Sequence, residues 1–276
     1  MATVELIVEG GPRLRLMQSL RELWSFRATI LAFAERDVRV KYKQAVLGIG
    51  WAVIQPLAFM AIFTFTIGRL APVAGGGAPY AAFALAVLVP WTFLQTGVSF
   101  GSNALLTDGA LVRKIYFPRE IPVLGALLGA GVDFAIGFVL FVCLAPFLGA
   151  HFSVTWLLVP FLTLALGILG AGVALALAAV NVYYRDFRYA LPFALQLWLF
   201  ASPVAYPLSV VPEQWRVLYV VVNPAAGLID AFRRVLALGQ LPQPGPLAAS
   251  LAGTAIIVYF GYRIFKSLEP NFADVI

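Results

Sequence analysis

Basic side chains cluster at one point of the sequence, where Arg36, Arg39, Lys41 and Lys43 lie within eight residues. Guanidinium and ammonium groups gathered at a membrane surface can bind phosphate through charge-assisted hydrogen bonds. Lys and Arg also accumulate on the cytoplasmic side of membrane proteins, so the same cluster can simply orient the chain. The residues by themselves are compatible with both roles.

A single acidic residue, Asp133, stands in an otherwise uncharged apolar stretch, residues 121–149. An ionisable group at membrane depth is a functional candidate, because burying its charge in hydrocarbon is costly. We favour a packing role for it, through an interhelical hydrogen bond or as a neutral acid. Cys143 and His151 are the only residues of their types, so we predict neither a disulfide nor a metal site.

Two short segments, 111–122 and 183–189, place aromatic and basic residues between apolar stretches. This combination suits a docking surface, in which aromatic rings are buried anchors and the charges form a rim. Ordinary anchoring at the membrane surface is the alternative, because aromatic and basic residues are enriched there as well. From the residues alone we rank that alternative first.

The overall composition indicates an integral membrane protein. Hydrophobic residues make up 62% of the chain and charged residues 12%, against about 25% charged residues in soluble domains. The net charge of +6 comes from residues beside apolar stretches, which fits membrane orientation and anionic lipid better than nucleic acid. We therefore expect membrane lipid as a partner and no nucleic acid.

Several apolar stretches reach the roughly 20 helical residues needed to cross a bilayer. The sequence predicts an all-α polytopic membrane protein with six transmembrane helices, forming a domain over residues 45–265. Residues 1–44 precede this domain, and 266–276 follow it as a cytoplasmic tail. The spans are expected near 45–69, 80–106, 121–149, 155–182, 189–208 and 247–265.

An N-terminal amphipathic helix is predicted within residues 1–44, because apolar residues recur there at helical spacing. We expect this helix to lie in the membrane interface with its apolar face in the acyl boundary. Packing on a soluble partner is the alternative. The apolar face consists of Leu16, Leu20, Leu23, Trp24, Leu31, Ala34 and Val38.

The region between the fifth and sixth spans is too short to cross the membrane. Its uncharged part, residues 217–229, has 13 residues and is interrupted at Asn223-Pro224. Thirteen helical residues rise about 20 Å, whereas the hydrocarbon core is roughly 30 Å thick. We therefore predict a re-entrant hairpin over residues 209–238, with its backbone shielded by protein or water.

The basic residues also predict the orientation of the spans. All but four of the 19 Lys and Arg residues fall on one side of the six-span scheme, which the positive-inside rule assigns to the cytoplasm. Both termini are therefore expected inside and the hairpin outside, in the periplasm. The four exceptions are Arg69, Arg216, Arg233 and Arg234.

Four segments in order resemble the membrane subunit of ABC exporters of polysaccharides, specifically the O-antigen type of the type-2 ABC transporter family. They are KYKQAVLGIGWAVIQP at 41–56, RKIYFPREIP at 113–122, NVYYRDFRY at 181–189 and QLWLFASPVAYPLSVVP at 196–212. Weaker similarity extends to capsule and teichoic acid exporters. The resemblance implies six transmembrane helices, an interface helix and a re-entrant hairpin, as charge and length already do.

The resemblance further implies that two copies of the chain assemble with two separate ATP-binding subunits in the bacterial inner membrane. The cargo would be an undecaprenyl-diphosphate-linked polysaccharide. It also implies a coupling helix within residues 111–122 that docks on the ATPase, with a smaller contact from 183–189. The expected contact residues are Arg113, Lys114, Ile115, Tyr116, Phe117, Pro118, Arg119, Tyr184 and Arg185.

Aromatic rings offer sugars weak, repeated contacts of the kind that a polymer channel requires. The resemblance assigns the first and fifth spans to the dimer interface, so their aromatic residues are the candidates for lining a channel, although many membrane aromatics face lipid instead. The candidates are Phe59, Phe63, Trp198, Phe200 and Tyr206. The candidates for meeting the lipid diphosphate where it enters are Arg36, Arg39, Lys41 and Lys43.

No G-x-x-x-x-G-K-[ST] phosphate loop occurs in the sequence, so the chain is not expected to hydrolyse ATP by itself. We expect it to bind no cofactor, since ATP and Mg²⁺ would belong to the partner subunit, and to act as a channel subunit. Exporters of capsule, teichoic acid or a small molecule are the alternatives. A membrane-embedded glycan-modifying enzyme is a further one, but paired carboxylates or a histidine-centred site at a membrane boundary are missing.

Overall fold

The computed structural model describes residues 16–43, 48, 50–70, 79–114, 116–150, 152–184 and 186–275. The apolar stretches in these ranges are helical, as a backbone without access to water requires. The helices are α1 Leu16–Ser25, α2 Arg27–Lys43, α3 Gly50–Leu70, α4 Tyr80–Thr107, α5 Gly109–Lys114, α6 Glu120–Leu144, α7 Val159–Tyr183, α8 Phe187–Ala201, α9 Glu213–Val222, α10 Pro224–Leu236, α11 Pro244–Leu268 and α12 Phe272–Val275.

Four helical stretches of the described chain are long and apolar enough to cross a membrane. They correspond to the predicted second, third, fourth and sixth spans. Helix α3, at the position of the first span, has 21 residues, and α8, at the fifth, has 15. The four stretches are Tyr80–Thr107, Glu120–Leu144, Val154–Tyr183 and Pro244–Asn271.

Helix α8 ends at Ala201, earlier than the expected end of the fifth span at residue 208. The next residue, Ser202, has extended backbone angles, φ −110° and ψ 152°. Ser202 precedes Pro203, and the proline ring disfavours the α conformation in the residue before it. The 15 residues of α8 rise only about 22 Å, less than the thickness of the hydrocarbon core.

Helix α4 forms the centre of the fold and contacts α3, α6, α7, α8 and α10. Its residues 82–89 are all at most 2% exposed, so the helix is enclosed on every side over two turns. A helix that is apolar all round is expected in such a position. The main hydrophobic core therefore surrounds the first half of α4.

A second hydrophobic cluster lies at the other end of α4. Val112 of α5 and Phe117 are buried there together with residues from the end of α7 and from the C-terminal helices. Phe26, Ile30 and Phe33 of the N-terminal region pack against the same cluster. The N-terminal helices, the α5–α6 connection, the end of α7 and the C-terminal helices therefore meet at one end of the bundle.

The N-terminal region differs from the single interface helix that we expected. The helix is interrupted at Phe26, and α2 runs alongside α6 in the same direction, with Phe33 beside Gly125 and Val38 beside Gly129. A Cβ atom at Gly125 would lie 2.7 Å from Phe33 Cβ, so glycine permits this close approach. The buried face of α2 includes Ala34, whereas Leu31, assigned to the same face, is 61% exposed.

The predicted break at Asn223-Pro224 is present: α9 ends at Val222 and α10 begins at Pro224. Helix α10 is buried along almost its whole length. It packs against α4, α7 and α11, so its backbone is shielded by protein, as a helix too short to cross the membrane requires.

Candidate functional site

The two aromatic residues of the expected ATPase-contact segment, residues 111–122, differ in their exposure. Tyr116 is 84% exposed, whereas Phe117 is only 6% exposed and lies 5.8 Å from the ring of Phe33. Of the two rings, only Tyr116 is therefore available to a partner in this structure. Phe117 and the buried Pro118 instead fasten the segment to the helical bundle.

Basic side chains surround Tyr116. Arg113 and Lys114 are exposed at the end of α5. Arg119 is half-buried, donates a hydrogen bond to the carbonyl oxygen of Val112 and lies 5.9 Å from the centre of the Phe117 ring. Arg113 and Lys114 are thus free to meet a partner, while Arg119 braces the turn from α5 into α6. Ile115 lies outside the described residues.

The second segment, residues 183–189, also combines exposed rings and charge. Tyr184 is 65% exposed and Tyr189 70% exposed, and the guanidinium carbon of Arg188 lies 4.6 Å from the centre of the Tyr189 ring. Tyr183 instead donates a hydrogen bond of 3.0 Å to the carbonyl oxygen of Leu268, which ties the segment to the C-terminal end of α11. Arg185 lies outside the described residues.

Two of the four clustered basic residues are bound to carboxylates of the bundle. Arg36 contacts both oxygens of Asp108, at 2.6 and 2.8 Å, and also Asp37. The hydrogen bond to Asp108, which outweighs the effect of burial, raises the pKa of Arg36 above its ordinary value. Because Asp108 is only 7% exposed, this bidentate pair fixes α2 against the end of α4.

Lys41 and its neighbour Tyr42 bind the lone acid Asp133. The Lys41 ammonium group forms an ion pair with one carboxylate oxygen, and the Tyr42 hydroxyl donates to the other. Burial, with the adjacent carboxylate, raises the pKa of Tyr42 above its ordinary value. These contacts agree with the packing role that we favoured for Asp133.

The other two basic residues of the cluster lie on the outer face of α2. Arg39 is paired with Glu35 one turn earlier, and both side chains are more than half exposed. Lys43 is also exposed. Any role in binding a phosphate therefore rests mainly on Arg39 and Lys43, since Arg36 and Lys41 are held by largely buried acids, whereas the pair of Arg39 with Glu35 is exposed to solvent.

The aromatic residues proposed for a channel have different environments. Phe59 and Phe200 are 36% and 56% exposed, whereas Phe63 packs against the main core. Trp198 is half-buried, lies 5.7 Å from the ring of Trp91 and donates a hydrogen bond of 2.8 Å to Asn223. Tyr206 donates to the carbonyl oxygen of Phe200 at 3.2 Å.

Asn223, at the tip between α9 and α10, joins the hairpin to the end of α8. Its carboxamide oxygen accepts the bond from Trp198, and its nitrogen donates to the Ala201 carbonyl oxygen and the Ser202 hydroxyl, at 3.0 Å each. These bonds satisfy one of the carbonyl groups that a helix leaves free at its C-terminus. The sequence marked Asn223 only as a break; the three bonds could not be read from it.

Glu120 is a second position whose role the sequence did not reveal. Its side chain is 1% exposed and forms an ion pair of 2.6 Å with Lys266, which also contacts Glu269 at 2.8 Å. The pair joins the start of α6 to the end of α11. The position of Glu120 directly before an apolar span was a signal for such a pair, but its partner is 146 residues away in the numbering of the chain.

Comparison with known proteins identifies the class of the chain. Residues 28–237 match the ABC-2 type transporter family. An O-antigen export system permease protein of Myxococcus xanthus is 28% identical over 268 residues, covering 95% of this chain and 100% of the relative. A Klebsiella pneumoniae protein of the same name is 23% identical, covering 90% and 94%. A polysialic acid transport protein of Escherichia coli is 24% identical, covering 88% and 94%.

The family match includes α2 and the face of α6 on which it packs, the segment around the exposed Tyr116, and the hairpin up to the end of α10. The match therefore covers more than half of the chain. The chain belongs to the ABC-2 type transporter family.

Proposed function

We propose that this chain is the transmembrane subunit of an ABC transporter that exports a lipid-linked polysaccharide of the O-antigen type across the bacterial inner membrane. Two copies would form the channel and bind two separate ATPase subunits. The observation that carries the proposal is the similarity to O-antigen export permeases along almost the whole chain. The similarity to a polysialic acid transport protein makes capsular polysaccharide the second candidate cargo.

The end of the bundle that carries Tyr116 supports an ATPase contact. Tyr116, Arg113 and Lys114 are exposed there, and the exposed Tyr184 and Tyr189 belong to the second segment at the same end. Exposed aromatic rings with adjacent cations suit a partner that has an apolar groove and acidic rim. Movement of the ATPase would reach the bundle through Phe117, which is buried in the cluster where the terminal helices meet.

The proposed membrane position follows from charge and helix length. Lys41 lies 5.6 Å from the centre of the Phe100 ring, and we place its ammonium group, and with it Phe100, near the inner polar boundary. From Phe100 to Tyr80, the first residue of α4, the helix rises about 30 Å, which is the thickness of the hydrocarbon core. The Tyr116 segment would then lie in the cytoplasm and the α9–α10 hairpin on the periplasmic side.

The two helices assigned to the dimer interface bury few of their described side chains within one copy. Helix α8 buries only Leu191, Leu195 and Leu199, one stripe at a spacing of four residues, and α3 exposes Trp51 and Ile62. A second copy would cover these faces and place Phe59 and Phe200 near a channel. Asn223 would couple the hairpin to α8, so that displacement of α8 opens the periplasmic exit.

Co-purification of the chain with its ATP-binding subunit tests the proposal. We expect Tyr116→Ala to weaken the complex and lower ATP-driven export, because the change removes an exposed ring without disturbing the bundle. The matched control is Phe147→Ala, which truncates an 85% exposed ring after the other end of α6 and should leave the complex intact. Failure of the wild-type chain to bind any ATP-binding subunit would refute the proposal.

A further inference from the structure

A polar cavity of about 200 Å³ lies between the hairpin and the loop that follows α8, at the end of the bundle opposite Tyr116. Three arginines, Arg216, Arg233 and Arg234, line it together with one acid, Asp230. With three arginines against one carboxylate, the lining of the cavity has a net positive formal charge. Ser209 and Gln240 add further polar groups to the wall.

Asp230 neutralises only part of this charge. One nitrogen of Arg233 is paired with one oxygen of Asp230, and Nε of Arg234 lies 3.3 Å from the other oxygen. Arg234 also donates to Gln240 at 3.3 Å. Arg216 donates to the carbonyl oxygen of Val211 at 3.3 Å and, among the described residues, forms no ion pair.

Several buried donors of these arginines remain without a partner in the described structure. They are Nε and Nη1 of Arg233 and Nε of Arg216. Arg233 is only 6% exposed, and its guanidinium carbon lies 5.5 Å from the centre of the Phe83 ring, so the side chain is fixed by packing. A buried guanidinium group with unused donors is costly unless a hydrogen-bond acceptor, preferably an anionic one, meets it.

We propose that this cavity binds a phosphate group. A tetrahedral oxyanion offers several acceptor oxygens to donors that converge from different directions, and its negative charge balances the positive charge that remains when one carboxylate faces three arginines. The volume holds one phosphate with a few water molecules, since a water molecule occupies about 30 Å³ in the liquid. The phosphate can come from solution or from the headgroup of a lipid in the outer leaflet.

This inference goes beyond the transport function and does not depend on it, because binding is measured on the chain itself. The full-length chain, purified in detergent, is titrated calorimetrically with inorganic phosphate. In a second arm it is titrated with dihexanoyl phosphatidylglycerol, and with dihexanoyl phosphatidylcholine for comparison. The two arms distinguish free phosphate from a lipid headgroup as the source of the bound group.

The informative substitution is Arg216→Gln, because Arg216 is not part of the buried pair with Asp230 that Arg233→Gln would break. We expect Arg216→Gln to weaken binding about tenfold, the loss expected for one charged hydrogen bond. Arg216→Lys should retain part of the affinity. The matched control is Arg263→Gln, which removes an exposed arginine bonded to Tyr259 and should leave the affinity unchanged.

Saturable binding of phosphate or phosphatidylglycerol that Arg216→Gln weakens and Arg263→Gln does not would support the site. If neither probe binds, or if both variants bind like the wild type, the inference is wrong and the cavity contains only water. Melting curves of each variant, recorded in parallel, identify any loss of affinity that results from unfolding. Should Arg216→Gln unfold, Arg216→Lys provides the comparison, and an affinity equal to that of the wild type would contradict the site.

Discussion

At the scale of single residues, two members of the basic cluster before α3, Arg36 and Lys41, position α2. Arg36 and Lys41 contact acids on two different helices, α4 and α6. The acids are the more buried partners, with side chains 8% and 16% exposed against 37% for each cation. If an acid is removed, water can hydrate the exposed cation, and the loss of stability is moderate. If a cation is removed, a buried carboxylate remains unpaired, and the loss is larger.

The Arg36–Asp108 pair gives the first prediction. Asp108→Ala should lower the free energy of unfolding by about 1–2 kcal/mol, because two charged hydrogen bonds are lost while Arg36 can still be hydrated. Thermal unfolding followed by tryptophan fluorescence in detergent measures the change. The control, Glu35→Ala, removes an exposed ion pair with Arg39 and should change stability by less than about 0.5 kcal/mol. Equal effects of the two variants would contradict the prediction.

At the scale of helices, α11 depends on small residues to reach its neighbours. A Cβ atom at Gly261 would lie 2.2 Å from the carbonyl oxygen of Gly172 on α7. A Cβ atom at Gly253 would lie 2.3 Å from the carbonyl oxygen of Val221 on α9. Both obstacles are backbone atoms, which cannot move without displacing a whole helix. Close backbone approach through small residues is a common basis of helix association in membranes.

Gly261→Ala should therefore destabilise the bundle, by roughly 1–3 kcal/mol, because α7 and α11 must separate to admit the methyl group. Gly131→Ala on α6 is the matched control, since nothing lies within 4 Å of its Cβ position. Alanine there should be neutral or stabilise the helix by up to about 1 kcal/mol. Thermal unfolding of both variants measures the change in stability. We expect Gly261→Ala to lower the melting temperature and Gly131→Ala to leave it unchanged or raise it.

The connection between the hairpin and α8 is also a property of whole elements, and Asn223 supplies three of its hydrogen bonds beside one from Tyr219 to the Ala201 carbonyl oxygen. Asn223→Ala should remove three hydrogen bonds and leave the Trp198 N–H without its acceptor, at a cost of roughly 1–3 kcal/mol. We expect faster hydrogen–deuterium exchange in α9 and α10. Gln214→Ala, an exposed change on α9, is the control and should leave exchange unaltered. Unchanged protection in Asn223→Ala would show that the three bonds of Asn223 are not what holds the hairpin.

At the scale of the whole molecule, the chain has two kinds of surface. Helices α4 and α10 are enclosed, whereas α3 and α8 bury few of the side chains that the structure describes. Exposed apolar side chains on a membrane helix can face either lipid or another subunit. The proposed homodimer assigns the faces of α3 and α8 to the second subunit and the outer face of α6 to lipid.

Cross-linking distinguishes these assignments. In a Cys143→Ser background, the double variant Ile62→Cys, Leu197→Cys should give a covalent dimer with a short bis-maleimide, because α3 of one copy would adjoin α8 of the other. Ile62 and Leu197 are 56% and 53% exposed. The control is Val139→Cys on α6, 60% exposed, which should remain monomeric on denaturing gels. Cross-linking at Val139 alone would indicate a different interface.

The sequence by itself determined the membrane class and the positions of most helices, because apolar length and the lack of charge are local properties. It also located the break at Asn223-Pro224, since proline has no backbone N–H with which to continue the hydrogen bonds of the preceding helix. The four motifs of the resemblance led to the family that the comparisons show. The length of α8 was overestimated because Pro203 was not weighed against the apolar pattern around it.

Only the tertiary structure decided which side chains are paired and which are exposed. Tyr116 and Phe117 are adjacent and both aromatic, yet one ring is buried against Phe33 while the other faces outward. Asp133 meets Lys41 across 92 positions of sequence, and Arg216 of α9 lines the same cavity as Arg233 and Arg234 of α10. Such contacts arise from the packing of helices distant in sequence, which depends on small residues and directional bonds that no local pattern encodes.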